Sequence, residues 1–386
     1  MKIALGMIVR DFISAHPLID FLDNAETYGH QIDRVIVVYS HSMSRSALFA
    51  LEERTKVSLI ELHNYRRAYG EFNKLGVSDK SVDALLYSEL LSEHGLIPYG
   101  FNRNHVLMEA LFEDIDLLIF VDSDVQPRVL RKNREGRLWF DDVDFVGSHA
   151  RGIARGVDIT TSDYSGYNIL PHAHFNGMDA LLYGLHKDEM SLFWKDGFFH
   201  KCLTIQKSAI PRQKWTNKLL GGNLGIKMDA FPKLPPFFSP HYFYNGQPFL
   251  ARGEDTFMGI AAEHGHLSCM DIDVHIFHDT YGNYPVLPDL RESRRVRDRF
   301  FYACTGWIGR NVFLRWREGC SSSEYTWRLK QLEMGARGLC EYTKDERFME
   351  LPQIARAAES CLESMVNQYF NTAKAWQEFM ERRYGT

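Results

Sequence analysis

Short β-branched segments alternate with helix-like segments over the first 62 residues, and this alternation restricts the fold more than any other feature of the sequence. The segments KIALGMIV (2–9), VIVVY (35–39) and VSLIEL (57–62) are apolar runs bounded by polar residues, which is typical of strands buried in a parallel sheet. Helix-like segments separate them at 13–28 and 47–54. The order βαβαβ therefore predicts an α/β protein with a doubly wound, mostly parallel sheet and right-handed crossovers.

A further apolar run, IDLLIFVDSDV (115–125), ends in two aspartates, Asp122 and Asp124. In an open α/β sheet, ligands bind outside the carboxyl ends of the strands. Residues two apart on a strand point to the same side, and hard cations prefer several oxygen ligands. We therefore expect the two carboxylates to hold a divalent cation. The alternative is that they form only a helix cap or an Asx-turn.

The rest of the chain predicts a larger α/β domain followed by helices. Beyond residue 288 the sequence is helical in character throughout, which indicates a C-terminal helical subdomain packed on the sheet domain. The other predicted elements are an insertion at 63–100 with a helix at 81–95, a core helix beginning near Asn104, a strand at 143–148, a helix-rich segment at 178–205, a strand at 219–227, a helix opening at Gly253 and a strand-like segment at 271–279.

Composition excludes several classes of partner. The formal net charge of −5 provides no overall attraction for nucleic acid or an anionic membrane. No apolar run approaches the roughly 18 residues that a membrane span needs, and the first residues resemble a strand more than a secretory signal. The cysteines form no CxxC pair, which favours free thiols in a reducing compartment. We expect a soluble, cytoplasmic protein with no nucleic-acid partner and no transmembrane segment. The six cysteines are Cys202, Cys269, Cys304, Cys320, Cys340 and Cys361.

Acidic residues open the predicted helix that follows Gly253. A carboxylate of Glu254 or Asp255 could accept a proton from an attacking hydroxyl if a substrate lay between it and the cation. The alternative is that acidic residues are simply favoured in the first turn of a helix. Two histidines follow, His275 and His278. With two aspartates, a histidine gives a mixed nitrogen and oxygen ligand set that suits Mn²⁺, although a histidine without any ligand role is also common.

The segment GFNRN (100–104) precedes the core helix. Arg103 could pair with phosphate oxygens, and the free amides at a helix start favour anions. The alternative is a solvated Arg103 with Asn104 as an ordinary N-cap. A second unassigned segment is the aromatic loop that contains Phe237, Phe238, Tyr242, Phe243 and Tyr244. Its rings could stack on a sugar or pack against the C-terminal helices.

These motifs occur in an order that resembles the GT-A-fold glycosyltransferases, most closely the inverting family-two type. The shared features are the βαβαβ opening, an Arg-Asn helix start, a strand ending in DSD, a GGN segment, a GED helix and a histidine after it. The resemblance covers about residues 2–279. It implies a Rossmann-like GT-A catalytic domain (1–287) with a nucleotide-sugar half at about 1–150 and an acceptor half at about 151–287. The helical subdomain (288–386) lies outside it.

The resemblance also implies an activity. It predicts a metal-dependent glycosyltransferase that moves a sugar from a nucleotide-sugar donor, a UDP- or GDP-sugar, to a carbohydrate or other hydroxyl acceptor with inversion. Asp255 would be the catalytic base and Glu254 would orient the base or the acceptor. The predicted ligands of Mn²⁺ or Mg²⁺ are Asp122, Asp124 and His278, with His275 as second choice. The predicted donor-binding residues are Arg103, Asn104, Asp122, Gly221, Gly222 and Asn223.

Two departures and several alternatives remain. The family's usual Asp-Asp-Gly-Ser loop is replaced by YSHS (39–42), and the insertion before Gly100 touches the same nucleotide pocket, so the nucleobase is not assigned. Retaining GT-A enzymes also use two aspartates and a histidine. LIFVDSDV also resembles the first motif of haloacid-dehalogenase-type phosphatases, but Gln126 stands where those enzymes expect a hydroxyl residue. A carbohydrate-binding protein without catalytic activity is the non-enzymatic alternative.

Overall fold

An eight-stranded mixed sheet organises the computed structural model of the chain. The structure describes residues 1–62, 66–171, 173–188, 190, 212–318 and 322–385. The helices are α1 (His16–Thr27), α2 (Arg45–Glu52), α3 (Arg66–Lys74), α4 (Asp79–Leu86), α5 (Glu89–Glu93), α6 (Tyr99–Phe112), α7 (Phe145–Ala154), α8 (Met178–Gly184), α9 (Glu254–His264), α10 (Arg294–Glu318), α11 (Ser322–Thr343), α12 (Leu351–Ser360) and α13 (Leu362–Tyr384).

The strands that lie between these helices belong to the main sheet and to smaller sheets. The strands are β1 (Ile3–Phe12), β2 (Arg34–Met43), β3 (Lys56–Glu61), β4 (Leu117–Val121), β5 (Val125–Gln126), β6 (Arg128–Lys132), β7 (Leu138–Asp142), β8 (Ile159–Thr161), β9 (Tyr164–Gly166), β10 (Lys214–Trp215), β11 (Asn223–Lys227), β12 (His241–Tyr244), β13 (Gln247–Leu250), β14 (Cys269–Asp271) and β15 (Ile276–His278).

The main sheet has the order β10-β14-β8-β11-β4-β1-β2-β3. Strands β3, β2, β1 and β4 are parallel neighbours, and β8 and β14 run in the same direction, whereas β11 and β10 oppose them. From β1 the chain adds β2 and then β3 on one side, and β4 then pairs with the other side of β1, so the direction in which strands are added reverses between β1 and β4. At such a point the loops after the neighbouring strands diverge and leave a crevice. The predicted α/β class with a mostly parallel sheet is confirmed.

Both faces of the sheet are buried. Along β1, the side chains of Ala4 and Ile8 belong to the apolar cluster on one face, while those of Leu5 and Met7 belong to the cluster on the other. This alternation follows from the two-residue period of a strand. Helices α3, α4 and α6 cover the first face, and α1, α2 and α7 cover the second. A strand covered on both sides must be apolar at every position, which explains the continuous apolar runs in the sequence.

A small second sheet stands beyond the end of β4 and consists of β5, β15 and β9. Strand β15 is antiparallel to β5, with His278 opposite Val125, and parallel to β9. The amide N–H of Asp279 donates to the Asp124 carbonyl oxygen at 2.8 Å and extends this pairing by one residue. This sheet therefore fixes the residues around Asp124 against those around His278.

The C-terminal helices share cores with the rest of the molecule. On α13, Trp376 and Phe379 belong to the apolar cluster that also contains strand residues of the main sheet. The Phe379 ring stacks on Phe72 with centroids 4.8 Å apart, and the Trp376 indole donates to the Leu234 carbonyl oxygen at 2.7 Å. Helices α10, α11 and α12 form a second cluster with α8. The division into domains at about residue 287, and at about residue 150 within the first domain, stays a prediction.

Several predicted elements have other bounds. The predicted strand at 143–148 is wrong, because Asp144 accepts a hydrogen bond from the Gly147 amide and caps α7. The helix predicted at 81–95 is two helices, α4 and α5, and the predicted strand at 219–227 is regular only from Asn223. The segment 271–279 divides into β14 and β15, with Asp273 at φ 58° between them. Part of the helix-rich segment predicted at 178–205 lies outside the described residues.

The structure bears on the cysteines and on membrane-spanning helices. Cys269, Cys304, Cys340 and Cys361 are free thiols, and Cys202 and Cys320 lie outside the described residues. None of the helices in the described ranges combines the length and the apolar character that crossing a membrane requires.

Candidate active site

A cleft of about 1040 Å³ lies at the carboxyl ends of β1 and β4. It is bounded by the segments that follow those strands, the segment before β11, the first turn of α9, strand β15 and one side of α10. Of the predicted site residues, the cleft is lined by Arg103, Asp122, Asp124, Gly221, Glu254, Asp255, His275 and His278. A second cavity, of about 1150 Å³, lies at the opposite ends of the strands, and none of the predicted residues lines it.

Asp124 and His278 meet because of the pairing between β5 and β15. The Oδ2 atom of Asp124 lies 3.3 Å from Nε2 of His278. The same oxygen accepts a hydrogen bond from Nη2 of Arg299 on α10 at 2.8 Å. Burial opposes the ionisation of Asp124, but His278 and Arg299 outweigh it and hold the pKa of this carboxyl well below its usual range. Asp124 is therefore an anion at neutral pH and faces two nitrogen partners.

Thr280 orients the imidazole of His278. The Thr280 hydroxyl donates to the Tyr167 carbonyl oxygen at 2.6 Å, so its oxygen is available to accept a hydrogen bond from Nδ1 of His278, which lies 3.2 Å away. With a cation between Nε2 and Asp124, a neutral imidazole would keep its proton on Nδ1, hydrogen-bonded to Thr280, and would bind the cation through the lone pair of Nε2. This arrangement suits a metal ligand. His275, the second choice, instead lies with Nδ1 3.6 Å from Oδ1 of Asp273.

Asp124 and His278 could hold a divalent cation as a pair. Among the described residues, no group of three or more His, Cys, Asp or Glu side chains is close enough to form a complete site. Mg²⁺ and related ions bound with substrate phosphates use one or two carboxylates and take their other ligands from the substrate and water. The two side chains, with an oriented imidazole, fit a cation of this kind.

Asp122, the other aspartate of the motif, is held by the protein. Its Oδ1 accepts a hydrogen bond from Nη2 of Arg103 at 3.3 Å. Burial raises the pKa of Asp122, and Arg103 offsets only part of this effect. The two aspartates thus have opposite pKa shifts, and Asp124 is the one that lies beside a histidine, so it is the better candidate for a direct cation ligand. The predicted metal role of Asp122 stays a prediction.

Arg103 joins three parts of the site. It is 3% exposed, and besides Asp122 it donates from Nε to Oε1 of Glu254 at 3.0 Å and from Nη1 to the Gly221 carbonyl oxygen at 2.9 Å. The strand end that carries Asp122, the segment before β11 and the start of α9 are therefore fixed to one guanidinium group. Arg103 lines the cleft, and its predicted contact with a phosphate stays a prediction.

The first turn of α9 carries the predicted base. Gly253 caps the helix with φ 105°, a conformation that other residues rarely adopt, and α9 begins at Glu254. The Oδ2 atom of Asp255 accepts a hydrogen bond from the Gly221 amide at 3.1 Å, and Oδ1 accepts one from the Thr256 amide at 2.7 Å. Burial and the neighbouring Glu254 carboxylate raise the pKa of Asp255 to about 6. A carboxyl with this pKa is suited to accept a proton near neutral pH.

The glycine segment makes close contacts with the protein itself. The Gly222 amide donates to the Tyr164 hydroxyl at 3.0 Å, and a Cβ on Gly222 would lie 2.6 Å from Oδ2 of Asp122. A Cβ on Gly221 would collide with the guanidinium of Arg103. The predicted close approach to the glycine backbone is present, but the groups that approach it are the side chains of Arg103 and Asp122. Gly221 lines the cleft and Gly222 does not.

Two predicted donor-binding residues face the interior instead. Asn104 is fully buried on α6, where its amide donates to the Leu85 and Phe237 carbonyl oxygens and its Oδ1 accepts from the Phe237 amide. Asn223 is also fully buried and pairs with Nε2 of His149 and the Val274 carbonyl oxygen, each at 3.0 Å. The structure corrects the donor-binding prediction for both residues. Asn104 is not an N-cap either, because α6 begins at Tyr99.

The aromatic loop packs inside the molecule. Phe237, Phe238 and Tyr242 are at most 7% exposed, and none of them lines the cleft. The Phe238 ring lies 5.5 Å from that of Tyr369 on α13, and the Tyr242 hydroxyl donates to the Thr305 carbonyl oxygen on α10 at 2.7 Å. Of the two interpretations of this loop, packing against the C-terminal helices applies to Phe238 and Tyr242, whereas the Phe237 ring lies 5.5 Å from that of Phe120 on β4.

Helix α10 contributes a wall that sequence reasoning missed. Arg299, Trp307 and Arg310 of this helix line the cleft, with Arg252 from the segment before α9. Arg299, Trp307 and Arg310 are spaced so that they lie on one side of α10. Arg299 and Asp124, however, are 175 residues apart in the chain. The run of arginines at 294–299 was the only signal for this wall, and it does not say which of them reaches the site.

Comparisons with known proteins give distant structural similarity only. No protein-family model and no curated protein matches the chain. Among solved structures, the chain is similar to glucosyl-3-phosphoglycerate synthase from Mycobacterium tuberculosis in complex with Mg²⁺ and UDP, at 13% identity and a TM-score of 0.40, over 83% of this chain and 81% of that one. The same enzyme with Mn²⁺, UDP and phosphoglyceric acid gives 13% identity and a TM-score of 0.38, over 83% and 80%. A structure described as a mycobacterial protein gives 12% and 0.39, over 83% and 76%. At these values the similarity shows nothing about activity.

Proposed function

We propose that the chain is a metal-dependent glycosyltransferase that moves a sugar from a nucleotide-sugar donor to a hydroxyl acceptor with inversion. The observation that carries this proposal is that one cleft contains two different functional groups. One is the pair of Asp124 and His278, which suits a cation, and the other is Asp255, whose pKa is raised to about 6. A glycosyl transfer needs both, because a diphosphate must leave and a hydroxyl must lose its proton.

The donor is proposed to lie along the side of the cleft formed by Asp122, Asp124 and His278. A divalent cation, Mn²⁺ or Mg²⁺, would supply Lewis-acid stabilisation of the leaving diphosphate there. His278 and Asp124 would hold that cation. Arg103 would keep Asp122 and the segment before β11 in position through its three hydrogen bonds. The donor is proposed to be a UDP- or GDP-sugar.

Asp255 is proposed to be the base. The acceptor oxygen attacks the anomeric carbon, its proton passes to the Asp255 carboxylate, and the bond from that carbon to the diphosphate oxygen breaks with its electron pair on the diphosphate. Glu254 would act indirectly. Arg103 holds its carboxylate in place, and its negative charge raises the pKa of Asp255. Inversion follows if the acceptor enters from the side opposite the leaving group.

The acceptor is proposed to lie against α10. Trp307, Arg310 and Arg252 line this part of the cleft, and Arg252 immediately precedes the Gly253 cap of α9. A hydroxyl group held there would be close to the first turn of α9, where Asp255 lies. We propose a carbohydrate or another hydroxyl compound as the acceptor.

The alternatives predict different products. A retaining transferase would conserve the anomeric configuration of the donor. A haloacid-dehalogenase-like phosphatase would release inorganic phosphate, but Gln126 is not a hydroxyl residue and its Oε1 accepts a hydrogen bond from Nε of Arg128 at 2.7 Å. A carbohydrate-binding protein would give no turnover at all.

The test is a screen of UDP-, GDP-, CMP- and dTDP-sugars with Mn²⁺ or Mg²⁺, in which nucleotide release is measured with and without EDTA. We expect metal-dependent release with one nucleotide class and a product of inverted configuration by NMR. Asp255→Asn should lower the rate of transfer by about 100-fold to 10,000-fold while it spares donor binding. If no donor is bound or turned over in a metal-dependent way, the proposal is wrong, and equal loss of binding and transfer in Asp255→Asn would make Asp255 a structural residue.

A further inference from the structure

Arg299 contacts the same carboxylate oxygen of Asp124 that faces His278. Its Nη2 lies 2.8 Å from Oδ2 of Asp124, and that oxygen is also the one 3.3 Å from Nε2 of His278. A cation bound by His278 and by this oxygen of Asp124 would approach the atom that already accepts a hydrogen bond from Arg299. Two positive groups on one oxygen repel each other in a partly buried site.

An anion would remove this conflict. The Nε atom of Arg299 is buried and has no hydrogen-bond partner in the described part of the chain. A guanidinium group offers five N–H donors in a planar arrangement that matches phosphate oxygens. A diphosphate beside Asp124 could accept from Arg299, and its own negative charge would separate the guanidinium from the cation.

Helix α10, which carries Arg299, packs closely on the segment that contains Arg252. The carbonyl oxygen of Gly306 on α10 accepts a hydrogen bond from the Arg252 amide at 3.1 Å, and a Cβ on Gly306 would collide with the aliphatic part of the Arg252 side chain. Helix α10 is thus held directly against the segment that leads into α9. The inferred change of partner by Arg299 is therefore a rotation of its side chain on a helix that stays in place.

We propose that Arg299 is a built-in counter-ion of Asp124 that competes with the divalent cation in the nucleotide-free protein and becomes a ligand of the diphosphate when both are bound. The diphosphate part of this inference rests on the proposed function, whereas the competition for Asp124 does not. The result is that cation and nucleotide bind cooperatively, and each increases the affinity of the protein for the other by the same factor. Helix α10 then belongs to the donor site as well as to the acceptor wall.

The experiment compares Mn²⁺ binding to the nucleotide-free full-length protein and to Arg299→Gln, measured by EPR of free Mn²⁺. We expect Arg299→Gln to bind Mn²⁺ about tenfold more tightly, because the competing cation is removed. Affinity for UDP, GDP and inorganic pyrophosphate at saturating Mn²⁺ is then measured by calorimetry. The probes that bind the wild-type protein should bind the variant about tenfold more weakly, because charged hydrogen bonds to phosphate are lost.

Two further variants make the result specific. Arg294→Gln removes the same charge from an exposed position of α10 that pairs with Asp298, and it should change neither affinity. Arg299→Lys keeps the charge without the planar fork, so Mn²⁺ affinity should stay near wild type and diphosphate affinity should fall. Unchanged or weaker Mn²⁺ binding by nucleotide-free Arg299→Gln overturns the competition, and unchanged diphosphate binding overturns the change of partner. If the wild-type protein binds none of the three anions, the proposed function fails, while the Mn²⁺ comparison still tests the competition.

Discussion

Arg103 and Glu254 form a buried ion pair, with Nε of Arg103 3.0 Å from Oε1 of Glu254 across 151 residues of chain. The two side chains are 3% and 10% exposed. Each charge has been removed from water, so either one left alone would carry the full cost of its desolvation. Since Arg103 also holds Asp122 and the Gly221 carbonyl oxygen, this one side chain couples the stability of the fold to the geometry of the site.

Arg103→Met should therefore destabilise the protein by about 3–5 kcal/mol, the usual result of removing one partner of a buried pair. The measurement is urea unfolding followed by circular dichroism. The matched control is Arg54→Met, because Arg54 pairs with Asp23 and Glu26 at the surface and such pairs contribute about 0–1 kcal/mol. Equal effects of the two substitutions would mean that the buried pair contributes no more to the free energy of unfolding than a surface pair does.

The pH dependence of transfer should report Asp255. Its pKa is raised to about 6, and only the deprotonated carboxylate can accept a proton, so kcat/KM should fall about tenfold per pH unit below 6 and reach a plateau above it. Asp255→Asn should lower the rate by about 100-fold to 10,000-fold. The profile is measured from pH 5 to 8 with saturating metal. Asp163→Asn, which changes another aspartate of the cleft, should retain the wild-type profile, and a flat wild-type profile would argue against Asp255 as the base.

Sequence reasoning located the parts of the site that follow strand ends or open a helix. The opening βαβαβ order, Asp122 and Asp124 after β4, and the acidic turn of α9 are local patterns, and the structure brings them to one cleft. His278 reaches it because β15 pairs with β5, which no local pattern specifies.

The side chains that the sequence misplaces or misses have a common cause, which is packing between distant parts of the chain. The resemblance to GT-A enzymes predicts Asn104 and Asn223 as donor-binding residues, yet the side chains of both satisfy buried backbone or side-chain groups. Burial and direction depend on the helix rotation and on the neighbours of the strand, and neither can be read from one sequence. Arg299 is one of several arginines in the first turns of α10, and only the packing of this helix beside Arg252 brings it to Asp124.

Thr280 should influence metal affinity without touching the metal. Thr280→Val removes the hydroxyl that fixes the Nδ1 proton of His278, and loss of such an outer partner typically lowers metal affinity about 10-fold to 100-fold. Mn²⁺ affinity is measured by EPR in the presence of a bound nucleoside diphosphate. Thr280→Ser keeps the hydroxyl and should restore most of the affinity, and His275→Ala should have little effect because His275 lies beside Asp273. A larger loss in His275→Ala than in His278→Ala would exchange the roles of the two histidines.

Phe379 on α13 tests whether the C-terminal helices fold with the sheet. Its ring is fully buried, stacks on Phe72 and belongs to the same apolar cluster as Phe120 of β4. Phe379→Ala should cost about 3–5 kcal/mol, as expected for removal of a buried aromatic ring. The control is Phe370→Ala on the same helix, where the ring is 55% exposed and the expected cost is under about 1 kcal/mol. In urea unfolding followed by both tryptophan fluorescence and circular dichroism, Phe379→Ala should shift the whole transition, because the cluster includes residues of the main sheet. If instead only a separate, earlier transition moved, the C-terminal helices would be an independent folding unit.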